Sequence, residues 1–161
     1  MIRDATPQDA PAIAAIYNHY IEHTIVTFEL EPVSAEDWCQ RMAPDQGKSP
    51  FLVVEDNHTI VGYAYAGPFN LRAAYQHTRE LAVYLHPDHT AQGHGSALYH
   101  ALIQRLKPMG VHAVIGGISL PNPASIALHE KMGFTKVAEF PQVGRKFDQW
   151  INVGYWQRTL D

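Results

Sequence analysis

The sequence predicts an α+β fold, a central mixed and mostly antiparallel sheet with helices packed on it. Three observations predict it. Two strand-like runs, from Phe51 to Glu55 and from Thr59 to Ala66, flank the turn Asp56-Asn57-His58 and read as an antiparallel hairpin. A short apolar run from Leu81 to Leu85 stops at His86-Pro87, then Gly93-His94-Gly95 opens a helical pattern, as expected where a buried strand turns into a helix. After that helix the chain alternates strand, helix and two further strands.

In chain order, Ile2-Arg3-Asp4-Ala5 is a short first strand. Thr6-Pro7-Gln8-Asp9 supplies cap and first-turn chemistry for a helix whose apolar face is Ile13, Ile16, Tyr17 and Tyr20, closing at Asn18-His19-Tyr20. The mixed stretch T-I-V-T-F-E-L-E-P suits a pocket wall. Ser34-Ala35-Glu36-Asp37 caps a second short helix through Trp38 to Met42. After the hairpin, Gly67 to Tyr75 is a loop, and Thr78 to Leu85 is the central strand. Leu98, Ala101, Leu102, Leu106 and Met109 recur at helical spacing up to Pro108-Gly110. His112 to Ser119 is a fifth strand whose Gly116-Gly117 leaves room for a ligand backbone. Asn122 caps a helix with Pro123 at its first position, and Gly133 ends it. Thr135 to Phe140 and Ile151 to Arg158 form a closing hairpin joined by the long loop P-Q-V-G-R-K-F-D-Q-W.

Composition narrows the function. The 161 residues carry no repeat, linker or low-complexity segment, so one domain spanning 1–161 is expected, large enough for a core without disulfides or metal. A net charge of −4, without a Lys/Arg cluster, argues against nucleic acid as the main partner. No run is long and apolar enough for a membrane span and the N-terminus has no signal-peptide core, so a cytoplasmic protein is expected. The single cysteine, Cys39, packs on a helix in a reducing compartment. His19 and His23, at i and i+4, and His86 and His89 around an aspartate lack the partners of a known metal motif, so no metal is expected.

The free amides of the helix that begins near Gly95, together with its dipole, favour an anion such as a pyrophosphate. A tight turn without ligand reads the same from Gly-x-Gly alone, and neither the P-loop nor the dinucleotide fingerprint is present. Thr90-Ala91-Gln92-Gly93-His94-Gly95 resembles the Gln/Arg-x-x-Gly-x-Gly/Ala signature of the GNAT acyltransferase superfamily, and the order of elements is that of the GNAT fold. Thr90 departs from the signature, which leaves the backbone amides of Gln92 to Ser96 as pyrophosphate donors. Within the superfamily the chain resembles the phosphinothricin acetyltransferase family nearly end to end. The carriers are I-Y-N-H-Y-I-E, Y-A-Y-A-G-P-F with Arg72-Ala73-Ala74-Tyr75, E-L-A-V-Y-L, G-H-G-S-A-L-Y, L-P-N-P-A-S-I-A-L-H-E-K-M-G-F and V-G-Y-W-Q.

That resemblance implies transfer of acetyl from acetyl-CoA to the α-amine of amino-acid-like molecules such as phosphinothricin, methionine sulfoximine and methionine sulfone. An amine is mostly protonated at neutral pH and must lose a proton before it attacks. The family makes Glu80 the base, and a carboxylate in an apolar strand is costly to bury unless paired or functional. An edge carboxylate paired with Arg79 or Arg72 is the alternative. His129 stands where the wider superfamily has a tyrosine, and would give a proton to the departing thiolate or relay the amine's proton.

By the same resemblance, acetyl-CoA is the cosubstrate, met by Val83, Tyr84, Leu85, Ala91, Gln92, Gly93, His94, Gly95, Ser96 and Asn122, with the Val83 amide facing the oxyanion. The acceptor would meet Thr27, Phe28, Arg72, Tyr75, Glu80, Leu81 and Ala82, with Arg72 the bidentate partner for a carboxylate. The branch is typically a homodimer, and Lys146 and Trp150 would close a pocket from a partner subunit. A different amine (a polyamine, an aminoglycoside or a protein N-terminus) and a non-catalytic CoA-binding module are the competing readings; the former calls for an acidic pocket, the latter for binding without turnover.

Overall fold

The structure is a computed structural model and describes residues 1–42 and 49–161. In order it contains β1 (Ile2–Asp4), α1 (Ala10–His23), α2 (Ala35–Met42), β2 (Phe51–Asp56), β3 (Thr59–Pro68), β4 (Thr78–Leu85) and α3 (His94–Leu106). Then follow β5 (Ala113–Ser119), α4 (Pro123–Lys131), β6 (Thr135–Lys146) and β7 (Gln149–Thr159). Seven strands form one sheet in the order β1-β2-β3-β4-β5-β7-β6. Every pair is antiparallel except β4 with β5, so the mixed sheet expected from the sequence is present.

Alternation along the strands builds a core on each face. Phe51, Val53 and Tyr63 point to one side, where α1 and Trp38 of α2 cover them. Leu52, Val54 and Ala64 point to the other, under Leu98, Leu102 and Leu106 of α3. Local chemistry sets the boundaries. The Thr6 amide donates to Asp9 Oδ2 at 2.8 Å before α1 begins, and Pro7–Asp9 forms a single 3-10 turn. Asn122 accepts from the Ser125 amide at 3.2 Å, with Pro123 opening α4.

Two expectations change. Helix α1 runs to His23 rather than closing at Tyr20. The loop expected between Phe140 and Ile151 is strand for most of its length: β6 continues to Lys146 and β7 starts at Gln149. A register shift between Phe140 and Gly144 absorbs Pro141, which an edge strand tolerates because one side of it needs no donor. The turn is made by Phe147 and Asp148, both left-handed at φ 51° and 59°, without the Asn-Gly pair that signals such turns in a sequence.

Candidate active site

The parallel pairing of β4 with β5 is short. It joins Thr78, Arg79 and Glu80 to Ala113, Val114 and Ile115 and goes no further. From Leu81 onward the edge of β4 turned toward β5 has no strand partner, and a cavity of about 400 Å³ opens there. β4 supplies its lining from Glu80 to Tyr84, the α1–α2 loop supplies Val26, Thr27 and Phe28, and α4 supplies Ser125 and His129.

Glu80 looks into this space. Its side chain reaches solvent through the cavity, yet protein surrounds it closely enough that burial raises its carboxyl above the ordinary value. Among the described residues it has no ion-pair or hydrogen-bond partner. Arg79, the partner that a purely structural role requires, instead donates to the carbonyls of Gln76 and Thr78 at 2.7 and 3.2 Å. Three tyrosines contributed by β3, α3 and β7, Tyr65, Tyr99 and Tyr155, stand near enough for the Glu80 charge to help raise their phenols, and burial pushes Tyr65 up to about 12. An amine that enters beside Glu80 therefore meets one carboxylate and neutral hydroxyls.

His129 is 3% exposed and fixed at both nitrogens. Nδ1 lies 2.7 Å from the Ser125 carbonyl oxygen, which can only accept, so Nδ1 carries the proton. Nε2, 3.0 Å from the Tyr99 hydroxyl, is then the acceptor in the neutral ring. Burial lowers the imidazole pKa, with the Ser125 carbonyl opposing, which favours that neutral form. The ring also explains Gly116, where a Cβ would stand 2.3 Å from Nε2. Of the two glycines that the sequence offered to a ligand, Gly116 makes room for His129, and Gly117 lines the cavity.

Thr27, Phe28, Glu80, Leu81, Ala82, Val83, Tyr84 and His129 are thus brought together on one cavity. Leu85, Asn122, Arg72, Tyr75 and the segment 91–96 do not line it. Arg72 and Tyr75 lie in an exposed loop held by local contacts, the Arg72 amide on Asn70 Oδ1 at 3.0 Å and Tyr75 against Phe69. At the start of α3, Gly93 is left-handed at φ 84° with open space where a Cβ would be. A Cβ on Gly95 would sit 3.3 Å from Leu128, so that glycine serves the packing of α3 on α4. Lys146 lies within its own chain, 4% exposed, its Nζ donating to the Thr27 carbonyl at 2.8 Å, while Trp150 is 61% exposed under the Arg145 guanidinium. The sequence reading missed Tyr65, Tyr99, Ser125 and Tyr155. Each looks like an ordinary core or helix residue, and only the sheet order with α3 and α4 packed on it unites them.

A sheet parted at its parallel pair, a strand edge without a strand partner, a glycine-led helix after it and a carboxylate without a partner among the described residues fit a CoA-dependent acyltransferase. The model of the acetyltransferase (GNAT) domain family matches residues 2–153. Phosphinothricin N-acetyltransferase of Streptomyces viridochromogenes is 39% identical, over 99% of this chain and 87% of its own length. The L-methionine sulfoximine/L-methionine sulfone acetyltransferase of Salmonella typhimurium is 37% identical, over 99% and 94%. Among solved structures, a GNAT phosphinothricin acetyltransferase from Sinorhizobium meliloti in complex with acetyl-CoA superimposes with a TM-score of 0.95 at 31% identity, covering 99% of this chain and 88% of that one. A ribosomal-protein-alanine N-acetyltransferase from Brucella melitensis gives 0.96 at 37%, covering 99% of both. The chain belongs to the GNAT family, in its phosphinothricin acetyltransferase branch, and is an acetyl-CoA-dependent N-acetyltransferase.

Proposed function

We propose that this enzyme acetylates the α-amine of small amino-acid-like acceptors such as phosphinothricin, methionine sulfoximine and methionine sulfone, with Glu80 as the base. The observation that carries the reading is the Glu80 carboxylate, raised by burial, open to the cavity and without a partner among the described residues. Acetyl-CoA supplies an activated acetyl thioester. The edge of β4 from Leu81 to Tyr84, without a strand partner, suits its pantetheine arm, and the left-handed turn and first helical amides at 91–96 suit its pyrophosphate, with Asn122 as a further donor to the arm.

Glu80 accepts the proton of the incoming ammonium, directly or through one water, and the tyrosines around it keep the site neutral otherwise. An amide of β4 near Val83 stabilises negative charge that builds on the acyl oxygen. The nitrogen that has attacked still has a proton to lose: His129 Nε2, unprotonated in the neutral ring and hydrogen-bonded to the Tyr99 hydroxyl, takes it and passes it to the departing thiolate. Arg72 and Tyr75 meet the acceptor's carboxylate from the loop before β4. Residues 1–161 act as one catalytic domain, working in the cytoplasm as a homodimer whose partner surface includes the exposed Trp150. Among the described residues no helix is long and apolar enough to cross a membrane.

The likeness to a ribosomal-protein-alanine acetyltransferase favours a second acceptor, the α-amine of a protein N-terminus. Thiol release from acetyl-CoA separates the two. Turnover confined to the three amino-acid analogues is expected, with silence on spermidine, an aminoglycoside and an alanine-initiated peptide. Glu80→Gln should lower kcat by about 10² or more while calorimetry finds acetyl-CoA binding intact. Turnover of the peptide alone would move the assignment to protein N-termini, and binding without turnover of any amine would leave a CoA-binding module.

A further inference from the structure

The cavity wall made by Val26, Thr27 and Phe28 belongs to no helix or strand. Side chains hold it from two sides. From α1, the Tyr17 hydroxyl meets Thr27 Oγ1 at 2.7 Å and also reaches Glu29. From β6, Lys146 Nζ donates to the Thr27 carbonyl at 2.8 Å, and the Phe28 ring lies so close over Gly144 that a Cβ there would be 2.3 Å from Cε2. Gly144 and Lys146 are two residues apart and share one face of the strand, while Arg145 points away; the Lys146 ammonium also lies 5.1 Å from the centre of the Phe147 ring in the turn.

Two features make this face more than hairpin packing. Lys146 is turned inward at an exposed edge strand, where a lysine ordinarily extends into water. Among the described residues no carboxylate pairs with it, and burial lowers its pKa, so the ammonium is held against a desolvation penalty by the backbone carbonyl of a cavity residue and the face of the Phe147 ring. Gly144 has no positive φ that would require glycine. Its missing side chain is explained by the Phe28 ring alone.

We propose that β6, through Gly144 and Lys146, positions the Thr27–Phe28 wall and so sets the size of the acceptor side chain that the cavity admits. Lys146 fixes the carbonyl and Gly144 seats the ring. Both are positioning residues, acting through Thr27 and Phe28. The inference rests on the amino-acid acceptor reading.

The test uses the full chain and three sulfones that differ by single methylenes, those of S-methylcysteine, methionine and ethionine. In Gly144→Ala the displaced ring should lower kcat/KM for the longest relative to the shortest by about tenfold, the scale of one methylene in a pocket. Lys146→Met should raise KM for all three several-fold with kcat within about twofold, since an interaction equal in ground and transition states moves KM alone. Lys146→Arg, which keeps a donor, should recover most of that loss. A Gly144→Ala ratio within twofold of wild type, or a Lys146→Met that lowers kcat at constant KM, overturns the proposal. If wild type releases thiol with none of the sulfones, it is the amino-acid reading that fails. Hydrogen exchange across residues 24–30 then decides the inference: faster exchange in both variants supports it, and unchanged exchange overturns it.

Discussion

Burial lifts the Glu80 carboxyl above the ordinary carboxylate value, and no described cation pulls it back. A base must be unprotonated to accept from an ammonium, so with Glu80 as the proposed base activity should follow its deprotonated fraction and rise with pH through the Glu80 pKa. Because that pKa is raised, the acid limb of kcat/KM should lie above the ~4.3 of a free glutamate. The imidazole of His129 moves the opposite way. Its pKa moves down, and neutral imidazole with a proton on Nδ1 is the form that the Ser125 carbonyl and the Tyr99 hydroxyl both accommodate. Initial rates from pH 5 to 9 with methionine sulfone check this: the limb should vanish in Glu80→Gln and persist in Lys146→Arg. A limb that survives in Glu80→Gln would assign the proton to another group.

Strand β5 shows how one element serves two neighbours. Gly116 yields its side-chain space to His129, whereas a Cβ on Gly117 would meet Tyr155 at 3.2 Å, which is tight but not prohibitive. The imidazole cannot retreat, because both ring nitrogens are already held. Gly116→Ala should therefore cost about 2 kcal/mol of stability, the scale of overpacking in a filled core, and reduce activity with it. Gly117→Ala should fall well below that in urea denaturation, and equal costs would refute this account of the pair. Elements of this kind were legible to different degrees. The β4-to-α3 passage was readable, since its apolar run, His86-Pro87 and Gly93 are local signals. The β6–β7 hairpin was not, because Pro141 argues against strand and the turn residues Phe147 and Asp148 carry no turn signature. Pairing with β7 overrode both.

At the scale of the molecule, the sheet order decides what the residues mean. Tyr65, Tyr99 and Tyr155 come from β3, α3 and β7, and nothing in their spacing announces that the parting of β4 and β5 will face all three toward Glu80. Resemblance to a family pointed to Glu80 and His129, which do line the cavity, but not to the Tyr99 hydroxyl that holds His129. The far edge of the same sheet holds one acid-sensitive cluster. Arg3 on β1 binds Asp9 at 2.7 Å and Glu55 on β2 at 2.5 Å, tying the first strand to the entry of α1 and to its neighbour strand. Asp9 is 6% exposed, and its hydrogen bond from Arg3 holds its carboxyl below the ordinary value. A carboxyl with a lowered folded pKa binds protons more readily in the unfolded chain. Its contribution is thus complete above the unfolded value of ~3.9 and is lost as pH falls through the folded one. Arg3→Met should cost about 2 kcal/mol at pH 7, less than breaking a fully buried pair because Arg3 is a third exposed. It should also flatten the loss of stability below pH 4, since the uncompensated Asp9 then gains by protonating. Urea midpoints from pH 3 to 7 measure both effects, and parallel curves for variant and wild type would show that the acid sensitivity resides elsewhere.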